Sequence, residues 1–292
     1  MKVSGFTFIR NASQNDYPIV EAISSVLPLC DEFIVAHGNS NDDTLDLIRG
    51  IKSYKIKIID TVWEDDLREG GKVFALETDK AFMAIADNSD WAIYIQGDEV
   101  IHEKYHATLR KEMEQNLNDE KVEGLLLKYI HFYASYDFFA SSRRWYRKEI
   151  RVIKNLKDIH SYRDAQGFRL NDRKIKVKEI DAYIYHYGWV KPPIGLKNKV
   201  RNFNKYYHDD EWINENHPVS TDFDFGNADE LKRFEGTHPA VMLSRIEKTN
   251  WKFDKDPSLL KKQMPLRRKF LKWIEELTGY RLFEYKNYKK IN

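Results

Sequence analysis

The sequence predicts an α/β protein with a mainly parallel sheet flanked by helices, and two observations support this prediction. Within the first 95 residues, four short apolar segments rich in β-branched and aromatic residues alternate with three segments of helical periodicity, which is the pattern of βαβ units. Three of the apolar segments end in polar residues. Ligands of parallel α/β sheets bind outside the carboxyl ends of the strands, so the same pattern predicts a binding site.

Each element of this half is predicted from its own residues. The predicted strands are Val3–Ile9, Glu32–Ala36, Lys57–Ile59 and Trp91–Ile95. The three helices are predicted because apolar residues recur on one face: Ile19, Ile23 and Val26 in the first, Leu45, Ile48 and Ile51 in the second, and Phe74, Ala81 and Ile85 in the third.

The second half of the chain predicts a different arrangement. A charged helix is expected over 105–116, and antiparallel strands are expected over 124–133, 147–153 and 180–189. Beyond residue 195 the pattern is mostly helical. We therefore predict a main domain over 1–195, divided into halves 1–103 and 104–195, and a helical extension over 196–292 that ends in a basic tail.

Composition restricts the classes of function. Hydrophobic residues make up 42% of the 292 residues, which is enough for a large core. The net charge of +2 gives no general reason to expect a nucleic-acid partner. Cys30 is the one cysteine, which rules out an internal disulfide. No apolar run approaches the length of a membrane span, so a cytoplasmic location is expected.

The end of the fourth predicted strand is a candidate metal site. Gln96, Gly97, Asp98 and Glu99 follow the apolar strand directly, and magnesium and manganese prefer carboxylate oxygens. The alternative is an ordinary polar turn, because Gly-Asp is good turn chemistry. His186 lies in a late aromatic strand, where it is either a third metal ligand or a hydrogen-bonded core residue.

Further polar residues predict ligand contacts around this position. At the end of the late strand, Trp189 and Lys191 suit a sugar and a phosphate respectively, and both are predicted to bind the acceptor. Arg68 and Lys72 could bind phosphate, since the chain has neither a GxGxxG nor a GxxxxGK[ST] motif. The remaining candidates, for a base and ribose, also fit simple helix capping: Arg10, Asn11, His37 and Asn39.

The order of these segments resembles a known family. SGFTFIRN, EFIVAHGNSNDDT, DWAIYIQGDEVI and IYHYGWVKPP together resemble nucleotide-diphospho-sugar glycosyltransferases of the GT-A fold, close to family 2. The resemblance covers about residues 3–193 and implies a GT-A-like, Rossmann-type mixed sheet. It also implies that residues 1–103 bind a UDP- or GDP-type sugar donor and that residues 104–195 face the acceptor.

The resemblance also implies roles for single residues. Gln96 stands at the first acidic position of the family's D-x-D motif and would contact ribose, while Asp98 would bind manganese or magnesium with support from Glu99 and His186. An inverting member needs a carboxylate base on the acceptor side. Asp164 is our first candidate for this base and Asp137 the second.

The predicted function is metal-dependent glycosyl transfer to a saccharide or lipid-linked acceptor in the synthesis of cell-surface glycans. The alternatives are a non-catalytic nucleotide- or carbohydrate-binding module and, with less support, a sugar nucleotidyltransferase. In the basic tail, Phe270, Trp273, Ile274 and Leu277 share one helical face. That face either packs on the domain or holds the protein against the inner face of an anionic membrane.

Overall fold

The computed structural model describes residues 1–64, 66–217, 230–253 and 265–291. The strands are β1 (Val3–Ile9), β2 (Glu32–Gly38), β3 (Ile56–Thr61), β4 (Trp91–Tyr94), β5 (Glu99–Ile101), β6 (Gly124–Tyr133), β7 (Ser135–Ala140), β8 (Lys148–Lys154), β9 (Ile159–Tyr162), β10 (Gly167–Leu170), β11 (Arg173–Lys174), β12 (Lys176–Trp189), β13 (Leu231–Arg233) and β14 (Lys289–Ile291). The helices are α1 (Ile19–Val26), α2 (Thr44–Arg49), α3 (Lys72–Met83), α4 (His106–Gln115), α5 (Pro193–Asn204), α6 (Asp210–Asn216), α7 (Leu243–Glu247) and α8 (Leu266–Thr278).

The first four strands form the predicted parallel half of the sheet. β1 pairs in parallel with β2 on one side and with β4 on the other, and β2 pairs in parallel with β3. The strand order therefore reverses direction at β1, and such a switch point opens a crevice at the carboxyl ends of the strands. The crevice lies where the sequence predicted a site.

The second half extends the sheet mainly with antiparallel strands, as predicted, but the predicted strand over 180–189 pairs in parallel with β6. β8 pairs with β4 and β6 in antiparallel fashion, and β7 pairs with β6. The long strand β12 runs parallel to β6 and antiparallel to β5. This pairing brings His186 of β12 beside Asp98 in the turn that follows β4, although 186 − 98 = 88 residues separate them in the chain. A separate three-stranded sheet, β9 to β11, was not predicted.

Two hydrophobic clusters cover the sheet. Ile19 and Ile23 of α1 pack with Trp91 in one cluster, whereas Phe74 of α3 packs with Phe6 in the other. Helices on both sides of a mixed sheet confirm the predicted fold class. Most of α5 and the helices α6 to α8 lie after residue 195, and β13 and β14 from the same region return to the main sheet. No helix in the described parts of the chain is long and apolar enough to cross a membrane.

Candidate active site

A pocket of about 950 Å³ opens at the carboxyl ends of β1, β2 and β4. From these strand ends it is lined by Arg10, Asn11, Asn41, Gln96, Gly97 and Asp98. From the opposite side it is lined by Glu149, Arg151, Asp164, His186, Trp189 and Lys199. The pocket thus brings together most of the residues that the sequence predicted for the site.

The loops after β1 and β2 are tied together at the pocket edge. The backbone nitrogen of Asn11 donates to Ser40 Oγ at 3.0 Å, and the backbone nitrogen of Asn41 donates to Asn11 Oδ1 at 2.9 Å. His37 and Asn39, predicted ligand contacts, do not line the pocket. Their side chains hydrogen-bond to Asp60 at 3.1 Å and to the Trp63 backbone at 3.3 Å, so they hold the loop instead.

Asp98 forms the centre of a buried polar cluster. Its Oδ2 accepts a hydrogen bond from Lys199 Nζ at 2.9 Å and lies 3.6 Å from His186 Nε2. Burial would raise the pKa of this carboxyl, but Lys199 and His186 hold the pKa well below its usual range. Asp98 is therefore an anion at neutral pH, and Lys199 is its cationic partner.

His186 is oriented by a second imidazole. Its Nδ1 lies 3.3 Å from Nδ1 of His131, whose Nε2 lies 2.7 Å from the backbone oxygen of Tyr146. Burial and the neighbouring His186 hold the pKa of His131 well below its usual range. Because Nε2 of the neutral His131 donates to the Tyr146 backbone oxygen, its Nδ1 can accept from Nδ1 of His186, and Nε2 of His186 faces Asp98.

The fully buried Glu99 has a structural partner. Its two oxygens accept hydrogen bonds from Nε and Nη2 of Arg151, each at 2.7 Å, and one oxygen also accepts from the hydroxyl of Tyr129 at 2.7 Å. The prediction of Glu99 as a metal ligand does not fit this geometry, because both oxygens are already committed to a buried ion pair.

The predicted three-residue metal site is therefore not assembled. Glu99 is paired with Arg151, and the Asp98 oxygen nearest His186 already carries the Lys199 ammonium. Across the described residues there is no group of three or more His, Cys, Asp or Glu side chains that could hold a metal ion. The donor set fits a carboxylate–imidazole–ammonium cluster better than a resident divalent ion.

The two candidates for a catalytic base lie in different places. Asp164 lines the pocket and accepts a hydrogen bond on Oδ2 from the Tyr207 hydroxyl at 2.8 Å. Its Oδ1 is buried without a hydrogen-bond partner among the described residues. The adjacent Arg163 and Ala165 both have positive φ, 57° and 61°, so a tight turn presents Asp164 to the pocket. Asp137 is exposed on β7 and outside the pocket lining, so it is not brought together with the other predicted site residues.

Of the remaining predicted contacts, two line the pocket and two do not. Arg68 and Trp189 line the pocket, and Arg68 pairs with Asp210 at 2.8 Å. Lys72 is outside the lining and pairs with Glu69 at the surface. Lys191, predicted to bind the acceptor, is fully buried and donates to the Asp16 backbone oxygen. Lys72 and Lys191 were therefore wrongly predicted as pocket residues.

Glu149 is a pocket residue that the sequence analysis missed. Its Oε2 is buried with no hydrogen-bond partner among the residues described, and burial raises the pKa of Glu149 to about 8. At neutral pH it is a protonated acid that can donate a hydrogen bond into the pocket. The available signal was the recurrence of charge at every second position of a central strand, Arg147, Glu149 and Arg151.

We predict that Glu149 makes the protein less stable at alkaline pH. Between about pH 4.3, where an unfolded glutamate ionises, and about pH 8 the folded state keeps a proton that the unfolded state has lost. The free energy of unfolding therefore falls as pH rises through this window. Glu149→Gln should remove this fall and raise the stability at pH 9 by on the order of a few kcal/mol.

Urea denaturation of both proteins at pH 5, 7 and 9 measures this effect. Glu114→Gln, on the exposed face of α4, is the matched control and should leave the pH dependence unchanged. If the free energy of unfolding changed with pH in the same way in the wild type and in Glu149→Gln, the prediction would be contradicted.

Fold and pocket together define an α/β protein with a ligand site at the carboxyl ends of parallel strands. No protein-family model matches the chain, and no curated protein matches it. Among solved structures it is similar to glucosyl-3-phosphoglycerate synthase from Mycobacterium tuberculosis in complex with Mn²⁺, UDP and phosphoglyceric acid. That match has 19% identity over 45% of this chain and 43% of the synthase, with a TM-score of 0.30.

A second similar protein is TarS from S. aureus. The match has 16% identity over 69% of this chain and 39% of TarS, with a TM-score of 0.39. The match to residues 1–349 of TarS in complex with UDP has 12% identity over 76% of this chain and 68% of that structure, with a TM-score of 0.38. The chain spans less than half the length of the synthase and of the first TarS structure.

Proposed function

We propose that this protein is a glycosyltransferase that moves a sugar from a nucleoside-diphosphate sugar to an acceptor hydroxyl. One observation carries the proposal: a single pocket contains the buried Asp98, His186 and Lys199 cluster and an uncommitted carboxylate oxygen of Asp164. Glycosyl transfer needs both features, because a diphosphate leaves with negative charge while a hydroxyl loses its proton.

The donor is proposed to bind along the parallel half of the sheet. Arg10, Asn11 and Asn41 offer polar groups for the base, and the ring of Trp63 lines the same part of the pocket. Gln96 would contact the ribose through its amide. Its Nε2 already lies 3.2 Å from the Tyr94 hydroxyl, which fixes the side chain in a hydrogen-bonded position.

The acceptor is proposed to enter from the side of Asp164 and Trp189. Asp164 would take the proton of the acceptor hydroxyl as that oxygen forms a bond to C1 of the sugar. The bond between C1 and the diphosphate oxygen breaks, and the leaving diphosphate keeps the electron pair. Attack opposite to the leaving group gives inversion, as the family resemblance implies. Glu149, protonated at neutral pH, would donate a hydrogen bond to a sugar hydroxyl.

Turnover with a panel of nucleotide sugars tests the proposal. UDP-, GDP-, CDP- and dTDP-sugars are each incubated with a saccharide acceptor mixture, and release of the nucleoside diphosphate is measured. Each reaction is run with manganese, with magnesium and with EDTA, because the predicted metal ligands do not form a set. Donor binding without transfer or hydrolysis would instead support a non-catalytic module. Formation of a nucleotide sugar from a nucleoside triphosphate and a sugar phosphate would support a nucleotidyltransferase.

A membrane surface is proposed as the place where a lipid-linked acceptor is met. Helix α8 has a stripe of exposed apolar side chains, with Leu266 84%, Phe270 58%, Trp273 56% and Leu277 65% exposed. The opposite face packs on the protein through Glu275, which pairs with Arg143, Arg147 and Arg281. An outward apolar stripe beside Arg267 and Lys269 fits an anionic lipid surface.

We predict that the double substitution Phe270→Asp and Trp273→Asp lowers binding to anionic vesicles by at least about tenfold. The expected loss follows from removing two apolar side chains and adding two negative charges on one face. Cosedimentation with vesicles of phosphatidylserine and phosphatidylcholine measures it. Tyr54→Asp, at a 93% exposed position elsewhere, is the control. Equal sedimentation of the double variant and the wild type would contradict the membrane proposal.

A further inference from the structure

We propose that Lys199 is the resident cation of this site and neutralises the diphosphate of the donor in place of a divalent metal ion. This inference rests on the proposed function for the identity of the ligand. It goes beyond that function in naming the group that binds the diphosphate and in predicting that binding is independent of metal.

The ammonium of Lys199 is built into the pocket. It donates to Asp98 Oδ2 at 2.9 Å and to the Gly188 backbone oxygen at 2.8 Å. The Tyr17 and Trp189 rings lie 5.3 and 5.5 Å from it, within the range of cation–π contacts. Lys199 as a whole residue is 8% exposed, and it lines the cavity. A lysine ammonium has three N–H donors, so one remains for a phosphate oxygen.

The backbone at Gly188 makes room for this arrangement. A Cβ at this position would clash with Asp98 Oδ2 and would lie 2.5 Å from Lys199 Nζ. A side chain at this position would displace the carboxylate of Asp98 and the ammonium of Lys199 from their present contact. Residues from α5, from the turn after β4 and from β12 meet at this point. This arrangement is a specific buried site and not a chance ion pair on the surface.

The ammonium of Lys199 and a metal ion would compete for the same oxygen, Oδ2 of Asp98. Asp98 Oδ2 is the carboxylate oxygen nearest His186 Nε2, at 3.6 Å, and it is also the acceptor for Lys199. An ion bound to that oxygen at about 2.1 Å would lie within about 5 Å of the ammonium nitrogen. Two cations at this separation in a buried site repel each other strongly. The neighbouring carboxylate of Glu99 is engaged by Arg151, so Glu99 does not offset that repulsion.

A fixed ammonium can perform the electrostatic task that a metal would perform. The leaving diphosphate gains negative charge as the bond to C1 breaks, and a preorganised cation in a buried site stabilises that charge. Lysine binds phosphate as a point charge. Asp98 holds the ammonium in position, so in this arrangement Asp98 acts on the diphosphate through Lys199 and is a positioning residue.

Nucleoside-diphosphate binding by the wild type and by Lys199→Met tests the inference. UDP, GDP, CDP and dTDP are titrated calorimetrically in EDTA and again with manganese, and manganese binding alone is followed by electron paramagnetic resonance. Lys197→Met, on the same helix but outside the pocket lining, is the matched control.

We expect the wild type to bind one of the four nucleotides equally well in EDTA and in manganese. Lys199→Met should bind it about 10- to 100-fold more weakly in EDTA, the usual loss for a charged hydrogen bond. Manganese should restore part of the affinity in Lys199→Met, because Asp98 and His186 are then free to hold an ion. Lys197→Met should behave as the wild type.

Two results separate the possible failures. Wild-type binding that requires manganese, or a stoichiometric manganese signal from the wild type alone, would overturn the role of Lys199 and leave the proposed function intact. Failure of all four nucleotides to bind under either condition would overturn the proposed function, and the diphosphate ligand with it. The wild-type measurements decide both points even if Lys199→Met folds poorly.

Discussion

Glu99→Gln is expected to lower the free energy of unfolding by about 3–5 kcal/mol, the usual cost of breaking a buried ion pair. Glu99 and Arg151 are 0% and 1% exposed, and the two side chains share two hydrogen bonds of 2.7 Å. The substitution removes the charge that compensates the Arg151 guanidinium. It leaves that cation in an environment that solvates it poorly. Urea denaturation at pH 7 measures the loss.

An exposed ion pair supplies the control for this prediction. Asp181, which is 81% exposed, pairs with Lys128 at 2.8 Å, and Asp181→Asn should cost no more than about 1 kcal/mol. If Glu99→Gln cost as little as Asp181→Asn while abolishing a manganese requirement, Glu99 would be a metal ligand after all. The experiment therefore separates a structural role for Glu99 from the role that the sequence predicted.

The error over Glu99 has a simple geometric cause. Asp98 and Glu99 are adjacent in sequence, and a turn with two carboxylates is a natural metal motif. In the structure β5 begins at Glu99, and neighbouring side chains of an extended segment point to opposite sides. Asp98, in the turn before β5, pairs with Lys199, whereas Glu99, the first residue of β5, pairs with the buried Arg151. Sequence adjacency alone does not reveal this division.

Much of the fold was predictable because the pattern of apolar residues is strong. The predicted strands at 3–9, 32–36 and 91–95 correspond to β1, β2 and β4 within one or two residues. The strands β9 to β11 were missed because they are two to four residues long, which is too short for alternation to show. Strand β14, also short, gains its stability from pairing with β12, a contact between distant parts of the chain.

The site was predictable where residues follow strand ends, and not where tertiary packing determines the position. Gln96 and Asp98 line the pocket because parallel strands end at a common edge. Lys199 belongs to α5. The pattern of apolar residues in this helix does not indicate which of its faces is directed toward Asp98. The close contact between the Lys199 ammonium and the Asp98 carboxylate uses the space that a side chain at Gly188 would occupy. A glycine at a strand end has several ordinary explanations, so it did not identify the lysine.

Asp164→Asn is expected to lower kcat by about 10²- to 10⁴-fold, the contribution of a positioned general base. Asparagine keeps the size of the side chain and can accept the hydrogen bond from the Tyr207 hydroxyl, so the fold and the turn around residue 164 should persist. The substitution removes the group that takes the proton. Oδ1 of Asp164 has no hydrogen-bond partner among the described residues, so this oxygen can accept the proton of the acceptor hydroxyl. Glu149, with a pKa raised to about 8, is mostly protonated at pH 7, so only a small fraction of it is in the form that accepts a proton.

The pattern of kinetic changes distinguishes a base from a structural residue. With the nucleotide sugar found active in the donor panel, Asp164→Asn should leave KM for the donor within about threefold of the wild type, since an interaction made only in the transition state affects kcat. Asp137→Asn changes the other predicted base, which is exposed on β7, and should retain full activity. A loss of activity in Asp137→Asn with none in Asp164→Asn would move the acceptor side of the site to β7. A large rise in donor KM with unchanged kcat would mean that Asp164 binds the donor and that another group takes the proton.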